Sequence, residues 1–285
     1  MPKQRQFHID GFTFAAQEWG QAGGVPILAL HGWLDNSASF NAVAAKLKGV
    51  HLLALDLAGH GYSDHRAGSS RYNIWQDIPD VFAIADAMGW QQFTLLGHSR
   101  GAMISLLAAG TFPKRISRLG LLEGLWPEPV SISDTPKQLA KSIRQYQRRK
   151  NSKLSHYASI DAAIAARQGG RFPLGYEAAK SIVSRGVRSV EGGYIWSSDP
   201  CLLMASSFKL TAEHMQAFIA RIEVPIKLIL AQQGIKGILD KYESQINDID
   251  NLDVDVFPGG HHLHMEEQSS LVAASLQEFF YTQQH

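Results

Sequence analysis

The sequence predicts an α/β fold: a mostly parallel central sheet with helices on both faces, interrupted by a helical insertion. Three observations carry this reading. Short apolar runs alternate with segments of helical periodicity along most of the 285 residues, as parallel strands joined by crossover helices require. One run, Phe93-Thr-Leu-Leu-Gly-His98, leads directly into Ser-Arg-Gly and then the small apolar stretch Ala102 to Ala109, a strand, a tight turn and a helix packed under a sheet. Residues 124–223 break the alternation, being polar, helix-rich and punctuated by Gly169-Gly170, Gly192-Gly193 and several prolines.

Taken in order, residues 12–18 and 26–30 read as strands, the second ending at His31-Gly32. Ser37 to Leu47 reads as a helix, and His51 to Asp56 as a strand that ends in a Gly/His/Ser/Asp loop. Between Tyr72 and Met88, apolar Ile74, Ile78, Val81, Phe82, Ile84 and Ala85 recur at helical spacing. After the helix that follows Ser99, Arg118 to Glu123 is a strand. Ile226 to Leu230 and Leu252 to Phe257 are two more, and a helix over Ser270 to Phe280 closes the chain. The expected division is a core of residues 1–123 and 224–285 with a helical cap over 124–223, roofing the strand ends where ligands bind in such sheets.

Composition narrows the function. Lys+Arg 27 against Asp+Glu 26 gives a formal net charge of +1, which argues against a nucleic-acid surface, and no basic stripe is interleaved with aromatics. The densest basic run, Arg144 to Lys150, reads as a solvated helix face. The start, Met1 to Phe7, has no apolar signal core, and no stretch is long enough to span a bilayer. Cys201 is the single cysteine, so no intrachain disulfide forms. The expectation is a cytoplasmic protein acting on a small molecule, with no membrane or nucleic-acid partner; the oligomeric state is not legible.

Gly97-x-Ser99-x-Gly101, placed between a strand and a helix, reads as a nucleophile elbow, with Ser99 in a strained backbone conformation. A serine hydroxyl is a weak nucleophile at neutral pH and needs a base, a carboxylate to orient it, and donors for the oxyanion. The loop after the last strand, Gly259-Gly-His261-His262-Leu-His264, supplies the base. His261, directly after the two glycines, is preferred, with His262 next. The oxyanion donors are the amide of Arg100, after the nucleophile, and that of Trp33, at an earlier strand end. A zinc site on the clustered histidines is the competing reading. With no Cys or Asp at obvious ligand spacing, neither metal nor cofactor is expected.

His31-Gly-Trp-Leu-Asp35-Asn, Asp56-Leu-Ala-Gly-His-Gly-Tyr-Ser-Asp64, Gly97-His-Ser-Arg-Gly101 and Gly260-His-His-Leu-His-Met together resemble the α/β-hydrolase superfamily. The first stretch is most similar to its serine-hydrolase-like branch. The resemblance runs from about residue 10 to the end, the cap excepted. It implies that Asp56 and Asp64 belong to a mainly structural loop. It also implies two places for the triad acid. After the second-last strand, Ala231 to Leu239 holds no carboxylate, and Asp240 arrives late, at the start of a helix. At the end of the strand after the elbow helix stands Glu123, whose burial without a partner would be costly. Glu123 is favoured and Asp240 is the alternative.

The function implied is a cofactor-independent, carboxylesterase-like serine hydrolase with a Ser99-His261-Glu123 triad and an acyl-enzyme intermediate. Serine at the elbow argues against dehalogenase or epoxide hydrolase chemistry, which uses aspartate there in this superfamily. Carbon–carbon bond hydrolysis or perhydrolysis by the same triad, or a non-catalytic binding protein on the same fold, are the alternatives. Trp126, Tyr194, Trp196, Met204 and Phe208 could line an apolar pocket or form the cap's own core.

Overall fold

A computed structural model describes residues 1–66, 72–149, 155–239, 243–247 and 249–281. The strands are β1 (Lys3–Ile9), β2 (Phe12–Gly20), β3 (Val25–Leu30), β4 (Val50–Leu55), β5 (Phe93–His98), β6 (Ile116–Leu122), β7 (His156–Tyr157), β8 (Val187–Val190), β9 (Gly193–Trp196), β10 (Ile226–Ala231) and β11 (Leu252–Phe257). The helices are α1 (Asn41–Ala44), α2 (Asp77–Ala87), α3 (Arg100–Thr111), α4 (Thr135–Arg149), α5 (Ile160–Gln168), α6 (Tyr176–Gly186), α7 (Ala212–Ile219), α8 (Lys236–Leu239), α9 (Glu243–Asn247) and α10 (Ser269–Tyr281).

Eight strands form one sheet in the order β1-β2-β4-β3-β5-β6-β10-β11. From β4 to β11 every pairing is parallel, while β2 pairs antiparallel with both β1 and β4. The inner strands β4 and β5 are buried along their whole length, because helices cover both faces and no side chain can reach water. On one face α2, α3 and α7 pack over Leu28, Leu53, Leu95 and Leu121; on the other α1 and α10 pack over Ile27, Leu52, Leu96 and Ile229.

Several elements differ from the sequence reading. β1 goes unread because it is an edge strand with Phe7 alone buried; its signal is Asp10-Gly11, both with positive φ, as a type I′ hairpin turn requires. The helix expected over Ser37 to Leu47 is one 3₁₀ turn, Ser37–Phe40, followed by the four-residue α1. The segment between β6 and β10 contains the three-stranded sheet β7-β9-β8 besides its helices, and Gly192 (φ 78°) makes the β8–β9 turn.

That segment lies against the loops that leave the carboxyl ends of β3 and β4. Trp33 Nε1 donates to the Leu202 carbonyl (2.9 Å), Asn36 Nδ2 to Ile182 (2.9 Å) and Tyr72 OH to Asp199 (2.6 Å). Asp56 is the strongest tie: its buried carboxylate accepts Arg185 Nε at 3.0 and 2.9 Å and the amides of Ser37 and Tyr62. Asp64 accepts the Thr13 amide at 2.7 Å. Both aspartates therefore work as braces.

Candidate active site

Ser99 sits between β5 and α3 with φ 51° and ψ −112°, a conformation an L-residue holds only at a cost of about 1–3 kcal/mol. The surrounding packing imposes it. α3 crosses β3 so closely that a Cβ on Gly101 would lie 1.9 Å from the Leu30 carbonyl oxygen. The Ser99 amide donates back to Leu122 at 2.8 Å, and the side chain is left at the edge of a pocket.

His261 and Glu123 meet across the carboxyl end of the sheet. Glu123 follows β6 with φ 50° and is fully buried. Each contact to its carboxylate comes from a donor: the Ala231 amide at 2.6 Å to Oε1, the Ile235 amide at 2.8 Å to Oε2, and His261 Nδ1 at 2.9 Å to Oε2. With Nδ1 bound to a carboxylate, Nε2 is the ring nitrogen available to the pocket. The imidazole is also clamped face to face by Phe172, with ring centroids 4.0 Å apart at 27°. Phe172 has no motif to announce it.

Of the two residues expected to supply oxyanion amides, Trp33 lines the pocket, while Arg100, next to Ser99, is not among its lining residues. Arg100 opens α3, where backbone N–H groups have no partner within the helix, and its guanidinium is pinned to Asp77. Trp33 follows His31-Gly32. His31 Nδ1 donates to the Gly32 carbonyl at 2.7 Å while its Nε2 accepts the Leu57 amide at 3.0 Å, so His31 shapes this loop without facing the pocket chemistry. Asp240 lies outside the described residues.

Beside this pair is a second polar group that the sequence did not reveal. Asp35 from the loop after β3, His98 at the end of β5 and His262 converge, all buried. Asp35 Oδ2 is 3.7 Å from His98 Nδ1 and 3.3 Å from His262 Nε2, and Asp35 Oδ1 accepts Arg167 Nη2 of α5 at 2.7 Å. Burial raises the Asp35 pKa, but His262, Arg167 and His98 outweigh it and hold the carboxyl well below its usual range. Burial pushes His98 well below its usual value, and the neighbouring histidines push the same way. Burial likewise takes His264 down to about 3; its ring is packed against Phe40 and His98.

Ser99, His261, Trp33, Asp35, His98 and His262 all line one pocket of about 490 Å³, a size suited to a small organic molecule. Arg167, Arg171, Phe172 and Trp196 contribute walls from the segment between β6 and β10. Of the aromatics singled out in sequence, Trp196 reaches this pocket, Trp126 is in the sheet core and Phe208 is half exposed. A wider groove of about 960 Å³, lined by Gln4, Arg5, Tyr62, Lys180 and Arg185, lies elsewhere and contains none of the candidate catalytic groups.

Comparison with known proteins places this fold. The family profile described as the alpha/beta hydrolase fold matches residues 25–156. A human serine hydrolase-like protein is 30% identical over 150 residues, 52% of this chain and 70% of that one. A Danio rerio serine hydrolase-like protein is 26% identical over 275 residues, 92% of this chain and 84% of that one. The crystal structure of a hypothetical protein from Pseudomonas aeruginosa superposes with a TM-score of 0.94 at 36% identity, covering 98% of this chain and 99% of that one.

Proposed function

The chain belongs to the alpha/beta hydrolase superfamily, in its serine-hydrolase-like branch, and from that premise we propose that it is a cofactor-independent serine hydrolase that cleaves carboxylic esters through an acyl-enzyme. The observation that carries the proposal is the buried His261–Glu123 contact of 2.9 Å, beside a strained Ser99 on the same pocket.

In this reading Ser99 Oγ attacks the ester carbonyl carbon as His261 Nε2 takes its proton, and the carbonyl oxygen becomes an oxyanion held by the Trp33 and Arg100 amides. Collapse breaks the ester C–O bond. The departing alcohol oxygen takes the proton back from His261, leaving Ser99 acylated. A water then attacks the acyl carbon, gives its proton to His261, and the acid leaves as Ser99 is reprotonated. Glu123 holds the ring in the Nδ1–H tautomer and balances the imidazolium that forms in each half.

Strain at Ser99 supports the same reading, because a positive-φ residue persists only where its surroundings enforce it. The test is covalent. A fluorophosphonate should label one serine per chain, mapped to Ser99 by peptide mass, and p-nitrophenyl esters of graded acyl length should be turned over by the wild-type protein. Absence of both labelling and turnover would leave a binding protein on a hydrolase fold.

A further inference from the structure

The pocket floor holds a donor set that the ester reaction leaves unused. His98 Nε2 lies 3.0 Å from the carbonyl oxygen of His261. A carbonyl can only accept, so Nε2 carries the hydrogen and the neutral ring turns an Nδ1 lone pair inward. That Nδ1 is fully buried and has no hydrogen-bond partner among the described residues. What it faces, at 3.7 Å, is Asp35 Oδ2. Two acceptors directed at each other in a buried site repel unless a cation or a proton lies between them.

We propose that Asp35, His98 and His262 form a binding site for a divalent transition-metal cation of the zinc type, on the floor of the Ser99 pocket. One donor atom from each residue lies within 4.8 Å of the other two. His262 Nε2 is 3.3 Å from Asp35 Oδ2, and His98 Nδ1 is 3.7 Å from it. Bonds of about 2.0–2.1 Å at a tetrahedral angle put donors roughly 3.4 Å apart, so two of these spacings need only small adjustments. Two imidazoles and a carboxylate match the preferences of zinc and its neighbours. His98 already has the outer bond, through Nε2 to a carbonyl, that fixes the tautomer of a ligating histidine.

Space and access are also present. A Cβ on Gly32 would lie 2.9 Å from His98 Nδ1 and 3.0 Å from Asp35 Oδ2. Glycine thus leaves open the cradle between them. All three ligands and Gly32 line the Ser99 pocket, which supplies both the entry path and a fourth coordination position. One group opposes the metal: Arg167 Nη2 is 2.7 Å from Asp35 Oδ1 and 3.3 Å from His262 Nε2. Its positive charge makes the site weaker than a structural zinc centre, and so reversible.

Binding would also act on the neighbouring chemistry. The His98 and His262 rings lie 4.8 and 5.1 Å from the His261 ring. A double positive charge there opposes the imidazolium that His261 must become, so the metal inhibits. Inhibition rests on the ester-hydrolase reading; binding does not.

The test is a Co²⁺ titration of dialysed Ser99→Ala protein, followed by visible absorption, with Zn²⁺ as competitor. One Co²⁺ per chain should bind, with the intense d–d bands of low coordination, and Zn²⁺ should abolish them. Asp35→Asn and His262→Gln should each weaken binding by more than about 100-fold, and Arg167→Gln should tighten it by about tenfold. If Asp35→Asn does not fold, the His262→Gln and Arg167→Gln results decide the matter. No stoichiometric Co²⁺ binding, or binding that none of these variants changes, overturns the site. In the wild-type protein Zn²⁺ should inhibit ester turnover, with recovery on chelation. Metal binding without any ester turnover would count against the hydrolase reading and leave the metal site intact.

Discussion

Two histidine–carboxylate groups lie side by side under the same pocket and differ in how completely they are satisfied. In the first, Glu123 accepts three donors within 2.6 to 2.9 Å and His261 Nδ1 is one of them. In the second, Asp35 is held by Arg167, while His98 Nδ1 faces its carboxylate at 3.7 Å without a hydrogen bond. The difference teaches what each arrangement can do. A carboxylate bonded to Nδ1 fixes the ring and leaves Nε2 free to move a proton. Converging lone pairs cannot relay a proton to a nucleophile, but they can hold a cation.

The comparison breaks first at the nucleophile. Ser99→Ala should reduce activated-ester turnover by at least about four orders of magnitude, measured on protein whose circular dichroism matches the wild type. Near-normal turnover would remove the reason for treating the two groups differently. His261→Ala should lose about three to six orders. If His262→Ala causes that loss and His261→Ala does not, the two groups exchange roles.

Asp35→Asn sharpens the contrast by a smaller effect of another kind. It weakens a buried ion pair with Arg167, so it should lower unfolding stability by roughly 3 kcal/mol and turnover by less than about tenfold. Urea unfolding and ester kinetics on the same preparation separate the two effects. A loss of turnover as deep as that of His261→Ala would place Asp35 in the proton relay.

The smallest effect is in pH. Burial lowers the pKa of His31, His60 and His264 in the folded chain, so each is protonated more readily once unfolded. Their contribution is present above the unfolded value near 6.5 and is lost as pH falls below it. For His264, held down to about 3, that loss approaches about 1.4 kcal/mol per pH unit below the unfolded value. Urea midpoints should therefore drop between pH 7.5 and 5.5, with net proton uptake on unfolding. Asp77 and Asp80, whose carboxyls burial raises, Asp80 to about 6, act the other way over this range, so a flat or rising profile would mean that they outweigh the rings.

The sheet and the elbow were legible because their signals are local: buried parallel strands read as apolar runs, and Ser99 sits in a motif with its strand and helix on either side. His261 stands out in the sequence by the two glycines before it, and its Nδ1 meets Glu123 in the fold. Glu123 was a candidate because Ala231 to Leu239 offered no carboxylate, and the structure puts it in contact with His261. What stayed hidden depends on distance in the chain. Asp35, His98 and His262 come from the loop after β3, the end of β5 and the loop after β11, so ligand spacing along the sequence carries no trace of their meeting. Phe172 reaches His261 from the segment between β6 and β10, where no pattern marks a ring that stacks. β1 was masked by its polar edge position, and the β8–β9 hairpin by four-residue strands too short to show a period.

The measurement that bears most directly on the central claim is kcat/KM of Glu123→Gln for a p-nitrophenyl ester, with Asp240→Asn assayed in parallel. Glutamine keeps the size of the side chain but removes the charge that favours the imidazolium and selects its tautomer. The account predicts a loss of about two to four orders of magnitude for Glu123→Gln and little change for Asp240→Asn. Wild-type-like activity in Glu123→Gln, together with a deep loss in Asp240→Asn, would contradict it.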